Sequence, residues 1–491
     1  MVGRVGLVRR VGASLVLAAS VVGTVPAADP PSVESIEELV VRVGRTRWTT
    51  DNSVELLDDP RLAWRARVEL VENARHHILI SAFAWYNDEH GTALRELLAT
   101  AIDQRRSEGS ELTVRVLADA STLGMFSPAF GALERHGARV RGFNRSSWGL
   151  SPIYDGRMHD KVLVADGRTA IISGRNFADI YFDTRLWWLD LGVRLRGSAV
   201  DDVQMNFLKS WELTDFNRKA GRFLLPQEML LDELRVFWRT GRYPNGRSPL
   251  EKFMNTDYFP PRDEPPGAIP VAVLYDNSLL RRRAATTDLA IALIGRAERQ
   301  VDLMTPFPNF TDDLTDALAA AAARGVKVRL VTNGRDTALR GGPFLYSGYP
   351  TVMRLIESGV EVWAWRANKD TVEAIEASGC SPVLMPPVAL HGKMLRVDDE
   401  ISIVHSSNFN IRSTYYNTEA GVVVLDRDFN RLLGELVDGL VSLRDFELDC
   451  RNGERGFVQQ IVERLGVEDL PWMREDLGRK QRLLDAYSVA W

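Results

Sequence analysis

Two histidines and two lysines stand in the same frame in this sequence. In RMHDKVLVADGRTAIISGRNF, running from Arg157 to Phe177, His159 leads to Lys161, Asp166 and Asn176. In LHGKMLRVDDEISIVHSSNF, running from Leu390 to Phe409, His391, Lys393, Asp398 and Asn408 keep the same order and spacing. The chain has only seven histidines, so two matching frames do not follow from composition. A pair of imidazoles with a pair of ammonium groups suits transfer at a phosphodiester. The transition state spreads charge over the non-bridging oxygens, which Lys161 and Lys393, helped by Asn176 and Asn408, can hold. One imidazole can attack phosphorus and form a phosphohistidine. The other can protonate the departing oxygen and then take a proton from the incoming alcohol or water. The lysines supply the positive charge, so this chemistry needs no metal and no cofactor.

Attack requires one unprotonated ring nitrogen, and a carboxylate on the other nitrogen fixes that tautomer. WWLDLG offers Asp190 and NTEAG offers Glu419, at matching places after each frame. Asp190 is expected to orient His159, which lies in its own copy. Asp166 and Asp398 fall at turns and are assigned structural work and support behind the histidines.

The elements that must carry these residues follow from pattern. MHDKVLVAD reads as a strand, and side chains two apart share a strand face. His159 and Lys161 therefore point together, as do His391 and Lys393. Asp166-Gly167 and Asp398-Asp399 read as hairpin turns that bring Asn176 and Asn408 back toward the histidines.

The repeat extends well beyond the frames. LVENARHHILISAFAW (Leu70 to Trp85) matches LIGRAERQVDLMTPF (Leu293 to Phe307). LERHGARVRGFN matches LIESGVEVWAWR, with Gly137 and Gly359 ending helices before strands. WLDLGVRLRG matches NTEAGVVVLD further on. Each half reads as strand, helix, strand, helix, strand and then a strand pair. This is an α/β pattern in which helices cover a mixed sheet. The expected lobes span 56–242 and 271–443, joined by a Pro-rich crossing strap over 243–270 and followed by a helical tail over 444–491. Pseudo-twofold symmetry would press the two motif edges together, with one active site at the lobe interface of a monomer.

The first residues follow a different logic. MVGRVGLVRR is basic, VGASLVLAASVVGTV is uncharged, and small residues follow Pro26. Residues 1–28 read as a cleavable export signal, or as a weak anchor if retained. No later stretch approaches the length of a spanning helix. The body is expected outside the cytosol, periplasmic or extracytoplasmic, and peripheral to a membrane. Cys380 and Cys450 are the only cysteines, leaving a disulfide and two free thiols both open. The net charge of −5 argues against non-specific nucleic-acid binding.

The twice-repeated HxKxxxxD pattern with its trailing small polar cluster resembles the phospholipase D superfamily. Within it, RMHDKVLVADGRTAIISGRNFADIYF with WWLDLGVRLRG, and NFNIRSTYYNTEAGVVV, are similar to bacterial cardiolipin synthases of the type without paired N-terminal transmembrane helices. The resemblance implies two phospholipase D-like lobes, His159 as nucleophile and His391 as acid and base. It implies phosphatidyl transfer making cardiolipin from anionic or zwitterionic phospholipids. Hydrolytic release of phosphatidic acid, or a nuclease or other phosphodiesterase activity, are the alternatives. Ser406 stands at the family serine of the second cluster, and Gly174 replaces it in the first. The first cluster residue, usually glycine, is Ser173 in one copy and His405 in the other. His405 is expected either to be a tolerated side chain or to retune the pocket near His391. Loop residues such as Trp148, Tyr154, Phe344 and Met385 are candidates for an acyl-chain path, against ordinary loop packing.

Overall fold

The computed structural model describes residues 34–143, 156–220, 227–262, 264–277, 280–281, 283–334, 348–377 and 385–442. The export segment, the tail, both cysteines and the loop residues Trp148, Tyr154 and Phe344 lie outside them.

The first lobe contributes β1 (Trp48–Leu56), β2 (His77–Ala82), β3 (Thr113–Asp119), β4 (Arg139–Phe143), β5 (Val162–Ala165), β6 (Thr169–Ser173), β7 (Trp188–Leu189) and β8 (Gly192–Arg196). The second contributes β9 (Ile269–Asn277), β10 (Gln300–Met304), β11 (Lys327–Asn333), β12 (Glu361–Trp365), β13 (Ala389–Leu390), β14 (Met394–Val397), β15 (Ile401–His405) and β16 (Thr418–Leu425). Fourteen of these strands form one sheet in the order β4-β3-β2-β5-β6-β8-β1-β9-β16-β15-β14-β10-β11-β12. The order reads the same from either edge once the lobes are exchanged. β2, β3 and β4 run parallel, as do β10, β11 and β12. The remaining pairs are antiparallel, which gives the mixed sheet expected from the repeat.

Strands such as HILISA are buried along their whole length. A continuous apolar run of this kind belongs to a strand covered on both faces. Helices Glu89–Ser107 and Ala120–His136 make the crossovers of the first lobe, and Asp312–Ala323 and Tyr349–Glu357 those of the second. Each lobe has its own core, around Ile78, Ile80 and Leu98 in one and Leu303, Leu318 and Leu330 in the other. A third core runs across the junction, from Val164 and Val193 to Met394 and Val422.

The lobes join at β1 and β9. β1 lies ahead of the expected first lobe, and β9 begins two residues ahead of the expected second, at Ile269. WTTDNSVEL is too polar to announce a strand. Its Asn52 makes the seam specific, donating to Thr49 O at 2.9 Å and Ile269 O at 3.1 Å and accepting from Ala199 N at 2.9 Å. The segment between the lobes holds a short 3-10 turn, Glu251–Phe253, among loops. Tyr258 stacks on His77 with ring centroids 4.2 Å apart, and Arg262 donates to Gly167 O at 2.8 Å.

Both hairpin turns form where the sequence places them. Asp166 and Asp398 take positive φ values of 53° and 49°, a region that aspartate tolerates better than most residues. Asp166 accepts three backbone N–H groups, from Arg75 at 2.7 Å, His76 at 2.8 Å and His77 at 2.9 Å. Asp398 accepts the equivalent three, from Glu298 at 3.1 Å, Arg299 at 2.8 Å and Gln300 at 3.0 Å. Each motif aspartate thus clamps the start of β2 or β10. It sits at the far end of β5 or β14 from the histidine, so its work is in the fold and not in orienting the imidazole.

Met385 packs against the junction core, and its carbonyl accepts from Trp187 Nε1 at 2.6 Å, so it behaves as a packing residue. Among the described residues no helix is long and apolar enough to cross a membrane.

Candidate active site

The regular strands begin at Val162 and Met394, after the histidines and lysines, contrary to the single strand expected from MHDKVLVAD. The histidine segments pair instead with the opposite lobe. Met158 bridges Thr418 in parallel, His159 N donates to Thr418 O at 3.0 Å, and Thr418 N donates to Arg157 O at 2.8 Å. Likewise β13 pairs in parallel with β7, and His391 N donates to Leu189 O at 2.6 Å. From its own lobe, each segment is held by the residue ending the third strand. Asp119 accepts Met158 N at 2.8 Å, and Asn333 accepts Leu390 N at 2.8 Å while donating to Leu390 O at 2.7 Å.

Thr418 and Leu189 immediately precede the two carboxylates, so this stitching decides which carboxylate meets which histidine. His159 Nδ1 lies 2.8 Å from Glu419 Oε2, and His391 Nδ1 lies 2.5 Å from Asp190 Oδ2. The pairing is crossed. Asp190 orients the histidine of the second copy and not His159, as its own-copy position suggested. The carboxylates are fully buried, whereas the His159 and His391 side chains keep 12% and 8% exposure.

The two carboxylates are supported differently. Glu419 Oε2 also accepts Ser406 Oγ at 2.5 Å, and Oε1 accepts Ser413 Oγ at 2.7 Å and Asn417 Nδ2 at 3.2 Å. Asp190 Oδ1 accepts Leu191 N at 2.7 Å. A Cβ at Gly174 would stand 2.2 Å from that oxygen, which explains why serine is missing from the first cluster. Buried Arg175, which donates to Leu57 O at 2.6 Å and Asp58 O at 2.8 Å, adds positive charge near Asp190.

Electrostatics sets the protonation states. Burial favours the neutral acid for both carboxylates. It is outweighed by Lys393 and His391 at Asp190 and by His159 and Lys161 at Glu419, so both stay below the usual carboxylate range. Burial lowers His159, against Glu419, and the Lys161 charge lowers it further. Burial and then the Lys393 charge push His391 down to about 3. At neutral pH each imidazole is neutral and its Nδ1–H is donated to a carboxylate, which leaves the Nε2 lone pair free to attack or to accept a proton. Burial lowers Lys161 to about 8 and Lys393 to about 7, partly offset by Glu419 and Asp190 respectively. Both lysines fold back on their own histidines: Lys161 Nζ donates to His159 O at 2.5 Å, and Lys393 Nζ lies against His391 O and 2.6 Å from His391 Nδ1.

Asn176 is fixed, accepting Ala84 N at 3.2 Å and donating to Tyr181 Oη at 3.2 Å. Asn408 Oδ1 is buried and has no hydrogen-bond partner among the described residues. Rings crowd both imidazoles: Phe83 lies 5.5 Å from His159, and Tyr181 and Trp188 lie 5.3 and 5.6 Å from His391.

His405 does not join this group. Its Nδ1 accepts Ser407 N at 2.8 Å, so the ring proton sits on Nε2, which donates to Thr286 Oγ1 at 3.0 Å. Burial pushes it down to about 4, so it is neutral. Its electrostatic neighbours are Glu419 and His159, on the other half of the site from His391. The equivalent Ser173 accepts Arg67 Nη2 at 2.8 Å. Both cluster-leading residues therefore tie the motif to the first helix of their own lobe. Sequence reading missed Asp119 and Asn333, although they end the matched stretches VRVLAD and VRLVTN and their shared position was visible there.

Two neutral imidazoles, each backed by a buried carboxylate from the opposite lobe, with two lysines between α/β halves of one sheet, define a phospholipase D-type enzyme. Comparison with known proteins agrees: the second lobe is similar to the PLD-like domain of cardiolipin synthases. Residues 290–440 match the family profile described as "Cardiolipin synthase, PLD-like domain". Cardiolipin synthase B of Escherichia coli (strain K12) is 24% identical over 405 residues, 80% of this chain and 82% of that protein. Cardiolipin synthase C of the same strain is 24% identical over 400 residues, 76% of this chain and 81% of that one. Among solved structures, phosphatidylserine synthase of Haemophilus influenzae Rd KW20 superposes with a TM-score of 0.59 at 16% identity, covering 92% of this chain and 99% of that chain. That likeness supports the two-lobed fold.

Proposed function

We propose that this enzyme transfers a phosphatidyl group through a phosphohistidine, joining it to a glycerol-headgroup alcohol so that cardiolipin forms from phosphatidylglycerol and a second phospholipid. The observation that carries the reading is the crossed pair of histidine–carboxylate contacts with both lysines in place, on a chain similar over most of its length to cardiolipin synthases. His159 Nε2 attacks phosphorus of the donor, and the bond from phosphorus to the donor headgroup oxygen breaks. His391, carrying a second proton on Nε2, protonates that oxygen. Protonated His391 becomes accessible when Lys393 turns from Nδ1 to the anionic phosphate, because the charge that most depresses the imidazole after burial moves away. His391 then takes the proton of the acceptor alcohol, whose oxygen attacks phosphorus and releases His159. Water in place of the alcohol gives phosphatidic acid by the same route. The protein acts outside the cytosol and meets its lipids by peripheral contact, a reading that rests on the basic-then-apolar first residues.

The test is to incubate purified protein with phosphatidylglycerol, with and without phosphatidylethanolamine, and to resolve the lipids by mass. Cardiolipin as the main product is expected. Phosphatidic acid alone would replace transfer with hydrolysis, and turnover of a nucleic-acid diester without lipid turnover would reject the lipid reading.

A further inference from the structure

Between His159 and Lys161 lies a carboxyl group with no part in the chemistry above. Asp160 is 2% exposed, and its Oδ1 accepts the Thr418 hydroxyl from the opposite lobe. Ser81 and Tyr275 line the same small cavity behind it, and the Tyr275 hydroxyl is 2.8 Å from Ser210 Oγ. Burial raises Asp160 above the ordinary carboxylate range, against the Thr418 and Ser81 hydroxyls and the Lys161 charge, which favour ionisation.

The repeat shows what this group adds. The residue equivalent to Asp160 is Gly392, where a Cβ would stand 2.8 Å from Met304 Sδ and 3.1 Å from Leu191 Cγ. The residue equivalent to Thr418 is Leu189. Both halves of the site share main-chain bonds across the lobes, but only one adds a buried side-chain polar bond, where the other has apolar packing. Thr418 is bracketed by this bond and by its backbone bonds to Arg157 and His159, and the next residue is Glu419.

We infer that Asp160 is a positioning residue, whose cross-lobe bond to Thr418 sets the register in which Glu419 meets His159 Nδ1. This deepens the reading above by giving the two half-sites different tolerances. The half that must present a nucleophile is pinned by an added side-chain bond, and the half that moves protons relies on main-chain bonds and packing.

The test compares Asp160→Ala, Asp160→Asn, Thr418→Val and Thr418→Ser in the full chain. It measures single-turnover phosphohistidine formation from a phosphodiester with a good leaving group, the KM for that diester, and the low-field proton resonance of the His159–Glu419 bond, identified by its loss in Glu419→Gln. Asp160→Ala and Thr418→Val are expected to slow formation about 10-fold, since small misplacements of reacting groups are costly, with KM unchanged and the resonance broadened or lost. Asparagine and serine keep the hydrogen bond and restore both readouts to within about twofold, and the double variant Asp160→Ala/Thr418→Val is no slower than either single change. Additive losses in the double variant, an unchanged resonance in Asp160→Ala, or failure of asparagine to rescue a variant that melts like the parent would each overturn the inference. If the parent protein forms no phosphohistidine, the functional reading fails, and the proton resonance alone decides the positioning role.

Discussion

Asp190 belongs to the first lobe and His391 to the second, and the Asp190 carboxylate lies 2.5 Å from the His391 ring. Glu419 returns the contact to His159 at 2.8 Å. Neither lobe completes its own histidine–carboxylate pair, because main-chain stitching across the junction crosses them. The crossing separates the effects of two otherwise similar substitutions. Glu419→Gln removes the charge that fixes the His159 tautomer, since its amide can present N–H to the ring as readily as oxygen, and should slow phosphohistidine formation by up to about 10⁴. Asp190→Asn should leave the first step measurable from a donor with a good leaving group and slow release of the intermediate instead. Trapping the intermediate by rapid quench and mass analysis checks this. Equal effects on both steps from either variant would mean that the carboxylates do not act through their crossed partners.

The lysines predict a pH dependence. Burial holds Lys393 at about 7 and Lys161 at about 8 in the free site, so each loses its charge as pH rises through that value. kcat/KM reports the free enzyme, so it should fall across this interval. The limb for kcat should lie at higher pH, because a bound phosphodiester anion favours the charged ammonium. The profile is read with a donor whose leaving group needs no proton, because His391, at about 3 in the free enzyme, would otherwise add its own fall with rising pH. Lys393→Arg keeps its charge at all these pH values and should shift the alkaline limb upward even at a reduced rate. Lys393→Ala should cost about 10²–10³ in kcat. An alkaline limb unchanged in Lys393→Arg would assign it to another group.

The motif aspartates carry a stability prediction. Asp166 and Asp398 hold equivalent trios of backbone N–H groups, but the His77 N–H on Asp166 is buried, whereas the groups on Asp398 are exposed or partly buried. A buried donor left unpaired costs more than one that water can reach. Asp166→Ala should therefore destabilise by about 2–3 kcal/mol and Asp398→Ala by about 1 kcal/mol. Thermal melts would order the two, and single-turnover rates per folded molecule should match the parent. A rate loss without a stability loss would return these residues to the catalytic group.

The parts of this architecture written in local pattern were legible. The lobes, their crossovers and the hairpins after Ala165 and Val397 follow from apolar periodicity and turn chemistry that one stretch of chain contains. The chemistry-bearing residues were legible because they recur at the same spacing. What escaped depends on the junction. β1 is a polar strand that exists because β8 and β9 flank it, and the crossed carboxylates depend on β7 meeting β13. Neither signal lies in a single window of sequence. Asp160 escaped because its partner, Thr418, is remote in the chain and ordinary in type.

His405 supplies the last prediction. Its ring fills a space that exists because residue 421 is glycine: a Cβ there would stand 1.9 Å from His405 Cδ2 and 2.7 Å from the Val404 carbonyl. In the first lobe the same relation holds between Gly192 and Ser173, whose Cβ would be 2.6 Å from an added Cβ. Gly421→Ala should accordingly destabilise by about 1–3 kcal/mol through overpacking. His405→Gly opens the space and leaves the Thr286 hydroxyl and the Ser407 N–H without their partner, so it should also destabilise, by about 2–4 kcal/mol. The two changes share one volume and should not add. The double variant His405→Gly/Gly421→Ala should be more stable than the sum of the single losses predicts by about 1 kcal/mol or more. Because the His405 proton points at Thr286 and not into the site, its replacement should leave the pH dependence of turnover in the remaining folded protein unchanged. Additive destabilisation would deny the steric link, and an altered pH profile in His405→Gly would make this histidine part of the proton chemistry.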